Sequence, residues 1–329
     1  MHELWPSISR ELILLPLFFL PKKRRIDIDR WLRGREEHRK LQLTDFVLMS
    51  WGKSGRTWLR VMMSRFYQEK YGIPARHMLG FDNYHRMNAV VPRVFFTHGN
   101  YLRNYTGDWH TKADFYGKKI IMLVRDPRDV AVSQYFQWKF RMKRNKKALN
   151  WYPPHGADVS LYEFVMNKDA GLPCIIEFFN TWARELPKVN ASMIVRYEDM
   201  RKNPAGVLKT LFEFLGTPGN DAEIQDAVDF AAYENMKRLE EKNAFRSSGA
   251  RLVPGNRSNP DSYKVRRAKV GGYRDYFDDE QLANIETLFA ERMTPVFGYK
   301  NDSPDEMHTG QRPGPAEEQN GAGVVGPPY

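Results

Sequence analysis

Lys53-Ser54-Gly55-Arg56-Thr57 places a mobile cation, two hydroxyl donors and a glycine within five residues, just after the apolar run Phe46-Val47-Leu48-Met49. Glycines at 52 and 55 allow a backbone to approach an anion closely. Backbone N–H groups at a helix start, aided by the helix dipole, bind phosphate without a dedicated side chain. Thus the stretch is suited to gripping a phosphate. Arg125 ends another apolar run, residues 118–124, and Ser133 follows eight residues later, about two helical turns on. An arginine at the C-terminal edge of a strand faces the crevice where α/β sheets bind ligands. Taken singly, each feature has an ordinary reading: a glycine turn with a solvated lysine, and a surface salt bridge.

A phosphate turn needs a strand to feed it and a helix to follow. Residues 44–50 read as a buried strand. The spacing of Leu59, Met62, Met63, Phe66 and Tyr67 predicts a helix over 56–71. Further strands are expected at 93–98, 118–124 and 192–197. A helix starts after Asp126-Pro127, where proline's missing N–H costs little. Helical patterns also occupy 172–186, 205–215, 222–232 and 280–289, and 150–158 is a loop. Strands alternating with helices, with runs apolar on both faces, indicate an α/β fold: a three-layer, P-loop-like domain with a central parallel sheet flanked by helices.

The chain has 329 residues, with 51 Lys and Arg against 40 Asp and Glu, a formal charge of +11. Such a surface favours anionic partners. The single cysteine, Cys174, forbids an intrachain disulfide and fits a reducing compartment. None of the eight histidines sits in a metal-ligand spacing, so no metal is expected. The Walker A pattern GxxxxGK[ST] is also missing, because Lys53 precedes the second glycine. This weighs against a P-loop nucleotide kinase. A non-catalytic anion- or membrane-binding module is the other alternative.

Three regions are expected: an N-terminal apolar and basic segment over 1–43, a main domain over 44–300, and a Gly- and Pro-rich disordered tail over 301–329. Residues 12–20, with Pro16 inside, are too short to cross a bilayer. Lys22-Lys23-Arg24-Arg25 follows them. Two readings stand: a segment packed on the domain, or a peripheral membrane contact through residues 10–35. The expected location is cytoplasmic, with the inner membrane face as the contact in the second reading.

Four stretches in order then resemble the cytosolic-type sulfotransferases, which use 3′-phosphoadenosine 5′-phosphosulfate (PAPS). Lys53-Ser54-Gly55-Arg56-Thr57-Trp58 resembles that family's 5′-phosphosulfate loop. Arg125 and Ser133, in RDPRDVAVS, match its 3′-phosphate motif. Tyr197-Glu198-Asp199-Met200 is similar to its YEDM segment, and residues 266–277 to its late RKGxxGxWKxxF motif. The resemblance implies that Lys53 meets the 5′-phosphosulfate and steadies the departing bridging oxygen. It implies that Ser54, Gly55 and Thr57 donate to the 5′-phosphate, with Arg56 in the same loop. It sets Trp58 and Tyr197 at the adenine, and Arg125, Ser133, Arg266 and Arg267 on the 3′-phosphate. His98, ending the strand RVFFTH, is the implied base; an imidazole titrating near neutrality suits proton removal from a hydroxyl or amine.

Four departures stand out. Arg56 replaces threonine, Phe96 stands where many animal members have lysine, Ala268 replaces glycine, and Tyr273 replaces tryptophan. Residues 81–88 and 100–109, both aromatic-rich, are expected to line the acceptor pocket. The basic run 141–147 is read either as the border of a wide basic groove or as a solvated face. The acceptor is not named by any of these residues. No nucleic-acid partner is implied, and the oligomeric state is left open.

Overall fold

Alternation within single strands builds the sheet. In β1 (Phe46–Ser50), Phe46 and Leu48 join one apolar cluster while Val47 and Met49 join another on the opposite face. A strand places successive side chains on opposite sides, so an unbroken apolar run must be covered on both. Val47, Leu48 and Met49 are fully buried, each contributing roughly 1.5–3 kcal/mol of hydrophobic stabilisation. A computed structural model describes residues 5–245 and 252–299 of the chain.

The other strands are β2 (Val94–Thr97), β3 (Lys119–Val124) and β4 (Ala191–Arg196). All pair in parallel, in the order β2-β1-β3-β4. The chain leaves β1 for one neighbour and returns past it to the other. That reversal opens a crevice at the carboxyl ends of β1 and its neighbours.

Thirteen α-helices lie among the described residues. In chain order they are α1 (Trp5–Leu14), α2 (Lys22–Leu43), α3 (Arg56–Tyr71), α4 (Leu102–Thr106), α5 (Pro127–Phe140), α6 (Arg144–Leu149) and α7 (Leu161–Met166). They continue with α8 (Leu172–Glu185), α9 (Tyr197–Lys202), α10 (Pro204–Phe214), α11 (Asp221–Phe230), α12 (Tyr233–Glu241) and α13 (Asp279–Arg292). Helices α3, α10 and α11 cover one face of the sheet, and α5, α8 and α13 the other. The three-layer expectation is met. Asp126 caps α5 by accepting from the Arg128 N–H at 2.9 Å, with Pro127 in the first turn.

Two differences from the sequence reading matter here. Residues 22–43 form one long helix that periodicity does not reveal, because it is polar on most of its circumference. The apolar stretch before it is not packed away: Leu12, Ile13, Leu15, Phe18 and Phe19 are exposed. Among the described residues, no helix is long and apolar enough to cross a membrane. The 301–329 tail expected to be disordered lies outside the described residues.

Candidate active site

The crevice at the strand ends is a cavity of about 670 Å³. Each strand delivers one part of it. After β1, the chain turns through Lys53 at φ +75° and Gly55 at φ +91° before α3 begins. The left-handed backbone at Gly55 suits glycine, and a Cβ there would stand 2.6 Å from the Tyr197 ring. After β2 comes His98, after β3 Arg125, and after β4 Tyr197. Lys53, Gly55, Arg56, Thr57, Trp58 and His98 line the cavity, as do Arg125, Ser133, Tyr197, Arg266 and Arg267. Ser54 does not. It is buried behind the turn, and its Oγ has no hydrogen-bond partner among the described residues.

Burial chiefly, with Arg141, Arg125 and Arg266 nearby, pushes the Lys53 ammonium down to about 7. An ammonium buried among arginines is suited to an anion, which restores its charged form. His98 sits between two partners. Its Nδ1 lies 2.5 Å from the Ser50 carbonyl oxygen, to which it donates, and Arg56 Nη2 donates to its Nε2 at 2.8 Å. Burial first, then Arg56 and the more distant Lys264 and Lys146, lower the imidazole to about 3. The histidine is therefore neutral, with its one lone pair engaged by a cation.

Arg125 is held from three sides. It donates to the Lys53 carbonyl at 3.4 Å, to Asp129 at 3.3 Å and to the Lys269 carbonyl at 3.1 Å. Its guanidinium lies 4.4 Å over the Tyr197 ring, and its Nε is buried without a hydrogen-bond partner among the described residues. Asp129 also accepts from the Gly271 and Tyr273 N–H groups, at 2.9 and 3.0 Å. One carboxylate thus ties Arg125 to the late segment. Trp58 packs edge-on against Tyr197, with ring centres 5.9 Å apart, and donates to the Ala231 carbonyl. Arg266 stacks 3.5 Å over Phe136, while Arg267 pairs with Asp275 at the rim.

Ala268 adopts φ +51°, so the position does require the left-handed backbone that favours glycine. Phe96 is not on the wall of this cavity, although it shares a smaller adjoining one with His98; Arg60 lies 3.7 Å over its ring, on the side of the α3 core.

Other residues of the site escaped the sequence reading. Lys264 lines the cavity, and burial together with Lys53, Arg141 and Arg56 holds its ammonium well below the ordinary range. Glu240, fully buried on α12, positions this segment. It accepts from the Lys264 and Val265 N–H groups at 2.7 and 2.8 Å and from Arg141 at 3.2 Å. Lys264 stands two residues before the late motif, and α12 gave no expected helix, so no local signal marked either residue.

Part of the cavity wall is aromatic, with Trp51, Phe115, Trp151, Tyr152, Phe178 and Trp182 lining it. Asn100 and Arg103 contribute from the expected 100–109 segment. Residues 81–88 do not line this cavity. Tyr84 is instead fully buried in the core, donating to the His77 carbonyl at 2.6 Å. The basic run divides: Arg141 lies behind the site, lining a smaller adjoining cavity with Arg56 and His98, Lys147 is buried against Trp138, and Arg144 faces solvent.

The fold and site define an α/β protein with a P-loop-like turn and two cationic stations in one crevice. Residues 43–297 match the model of the sulfotransferase domain, and the chain belongs to that family. It is 24% identical over 281 residues to flavonol 3-sulfotransferase of Flaveria bidentis, covering 80% of this chain and 87% of that one. It is 24% identical over 274 residues to cytosolic sulfotransferase 17 of Arabidopsis thaliana, covering 77% and 75%. A solved mouse sulfotransferase, SULT7A1 complexed with PAP, superposes with a TM-score of 0.52 at 22% identity, covering 78% of this chain and 89% of that one. Retinol dehydratase in complex with androsterone and inactive cofactor PAP gives 0.53 at 16% identity, covering 79% and 84%.

Proposed function

We propose that this sulfotransferase moves the sulfuryl group of PAPS to a hydroxyl or amine of its acceptor by in-line displacement. The observation that carries the reading is the pairing of two cationic stations in one cavity, the Lys53 turn beside His98 and Arg125 beside Ser133. The buried, unsatisfied Arg125 Nε, on the cavity wall, fits a phosphate at that station. PAPS supplies the activated sulfuryl group, whose bond to the bridging oxygen breaks as the acceptor's bond to sulfur forms.

Lys53, protonated, neutralises charge on the bridging oxygen, with Gly55 and Thr57 as donors to the 5′-phosphate and Ser54 contributing through its backbone N–H rather than its hydroxyl. Arg125, Ser133, Arg266 and Arg267 hold the 3′-phosphate, and Trp58 and Tyr197 flank the adenine. His98 Nε2 takes the acceptor proton, and its Nδ1–H bond to the Ser50 carbonyl steadies the imidazolium. That role requires Arg56 to release Nε2 and turn toward the sulfuryl oxygens. Positioned cations and backbone donors supply the charge stabilisation, so this set of residues needs no metal. The aromatic part of the cavity wall takes the acceptor. The enzyme works in the cytoplasm, in keeping with its single cysteine, with peripheral contact at the inner membrane face through residues 10–35 and no nucleic-acid partner.

The test is transfer from sulfur-labelled PAPS to a panel of hydroxyl and amine acceptors. Label should move with wild type and fall by at least about a hundredfold in His98→Ala and Lys53→Ala. Equal transfer by the variants would refute the assigned roles.

A further inference from the structure

The N-terminal helices carry a surface that transfer chemistry does not use. Leu12, Leu15, Phe18 and Phe19 are 64, 75, 77 and 69% exposed, and Ile13 lies beside them at 45%. They end α1 and form most of the short 3-10 helix Leu15–Phe19 that follows. So many large apolar side chains in one short stretch of surface mark an interaction site. Directly after them, Lys22, Lys23, Arg24 and Arg25 open α2, all four exposed and with no acidic residue in that turn. Cations there oppose the helix dipole, whose N-terminal end is positive.

Both features are unfavourable in the isolated chain, and one kind of partner relieves both: an apolar layer edged by anions. We propose that residues 12–25 dock on an anionic lipid bilayer, the ridge entering the acyl boundary while the four cations meet lipid phosphates. This names the lipid class and the residues of the peripheral contact proposed above, and it does not depend on sulfuryl transfer. A second copy of the chain fits less well, because a two-fold contact would bring two such basic turns together.

The ridge is fixed relative to the active site. Asp29 on α2 pairs with Arg10 of α1 at 3.3 Å and with Arg33 at 2.9 Å, tying the two helices together. The next residue, Arg30, lies 3.8 Å over the ring of Trp151, an exposed residue of the cavity wall. Lys22 is ~12 Å from Arg30 along the helix. A docked bilayer therefore lies beside the cavity, where an acceptor held in the membrane can enter.

The experiment is co-sedimentation of the full chain with vesicles of phosphatidylcholine alone and with added phosphatidylserine. Wild type should bind the phosphatidylserine vesicles and not the neutral ones. Lys22→Ala with Arg24→Ala should lower the partition coefficient by about thirtyfold at low salt. Phe18→Ser with Phe19→Ser should abolish binding. All three proteins should keep the same melting temperature and the same affinity for 3′-phosphoadenosine 5′-phosphate (PAP). No wild-type binding, or ridge variants that bind as wild type, would overturn the proposal. So would a dimer, seen by sedimentation equilibrium, that Phe18→Ser abolishes while lipid binding is absent. Because melting and PAP binding are read on the same samples, a failure of the donor-site reading is distinguishable from a failure of this one.

Discussion

Arg56 Nη2 stands 2.8 Å from His98 Nε2, on the only ring nitrogen with a lone pair to offer. The other ring nitrogen is committed to the Ser50 carbonyl. A base capped by a permanent cation cannot accept a proton until the cation leaves. Removing the cap with Arg56→Thr should raise the histidine's pKa from about 3. It should stay below the ordinary value, because burial, the larger cause, persists. NMR titration of the imidazole checks this directly. In kinetics, a raised pKa moves the acid limb of kcat/KM to higher pH, since the base must be unprotonated in the free enzyme. An unchanged imidazole pKa would mean that the cap does not control the base.

Lys53 titrates near 7 in the free protein, mainly because it is buried. An anion prefers its protonated form. PAP binding should therefore weaken as pH rises through 7 and take up protons above it. Calorimetry at pH 8 in buffers of different ionisation enthalpy measures the uptake, with close to one proton expected from Lys53. Lys53→Arg, charged throughout, should lower the uptake by close to one proton, and whatever remains belongs to Lys264.

Glu240 accepts two backbone N–H groups and one arginine while fully buried. Glu240→Ala should cost about 3–5 kcal/mol, since it strands Arg141 and two amides. Glu240→Gln keeps the shape and one acceptor, and should cost about half as much. Urea unfolding gives both values. PAP affinity should fall in the Gln variant as well, because the 264–266 segment loses its anchor.

Ala268 at φ +51° carries strain of about 1–2 kcal/mol. Glycine would relieve it and lose about 0.4–1 kcal/mol through the unfolded chain. Ala268→Gly should stabilise the protein by roughly 0.5–1 kcal/mol with the same urea m-value.

Much of this arrangement is readable in the chain. The sheet is legible because both-face-apolar runs such as 118–124 leave few alternatives, and the site because Lys53, His98, Arg125 and Tyr197 each follow a strand. What escaped reading is set by tertiary contact. Helix α2 has too little apolar periodicity to reveal itself, and it holds its place through Arg30 donating to the Leu149 carbonyl at 3.0 Å. Glu240 reads as one more surface acid until α12 turns it inward. Tyr84 sits in an aromatic-rich stretch that resembles a pocket wall, yet its hydroxyl finds partners in Gln68 and His77 and is buried. Arg56 shows its type in the sequence, but its hold on His98 crosses 42 residues.

The most direct test of the donor site is calorimetric binding of PAP beside AMP and ATP, on wild type and Arg125→Ala. PAP should bind wild type far more tightly than AMP, and Arg125→Ala should lose about 10–100-fold in PAP affinity while leaving AMP unchanged. Equal affinity for PAP and AMP, or an Arg125→Ala variant that binds PAP as wild type does, would contradict a 3′-phosphate station at Arg125 and with it the use of PAPS.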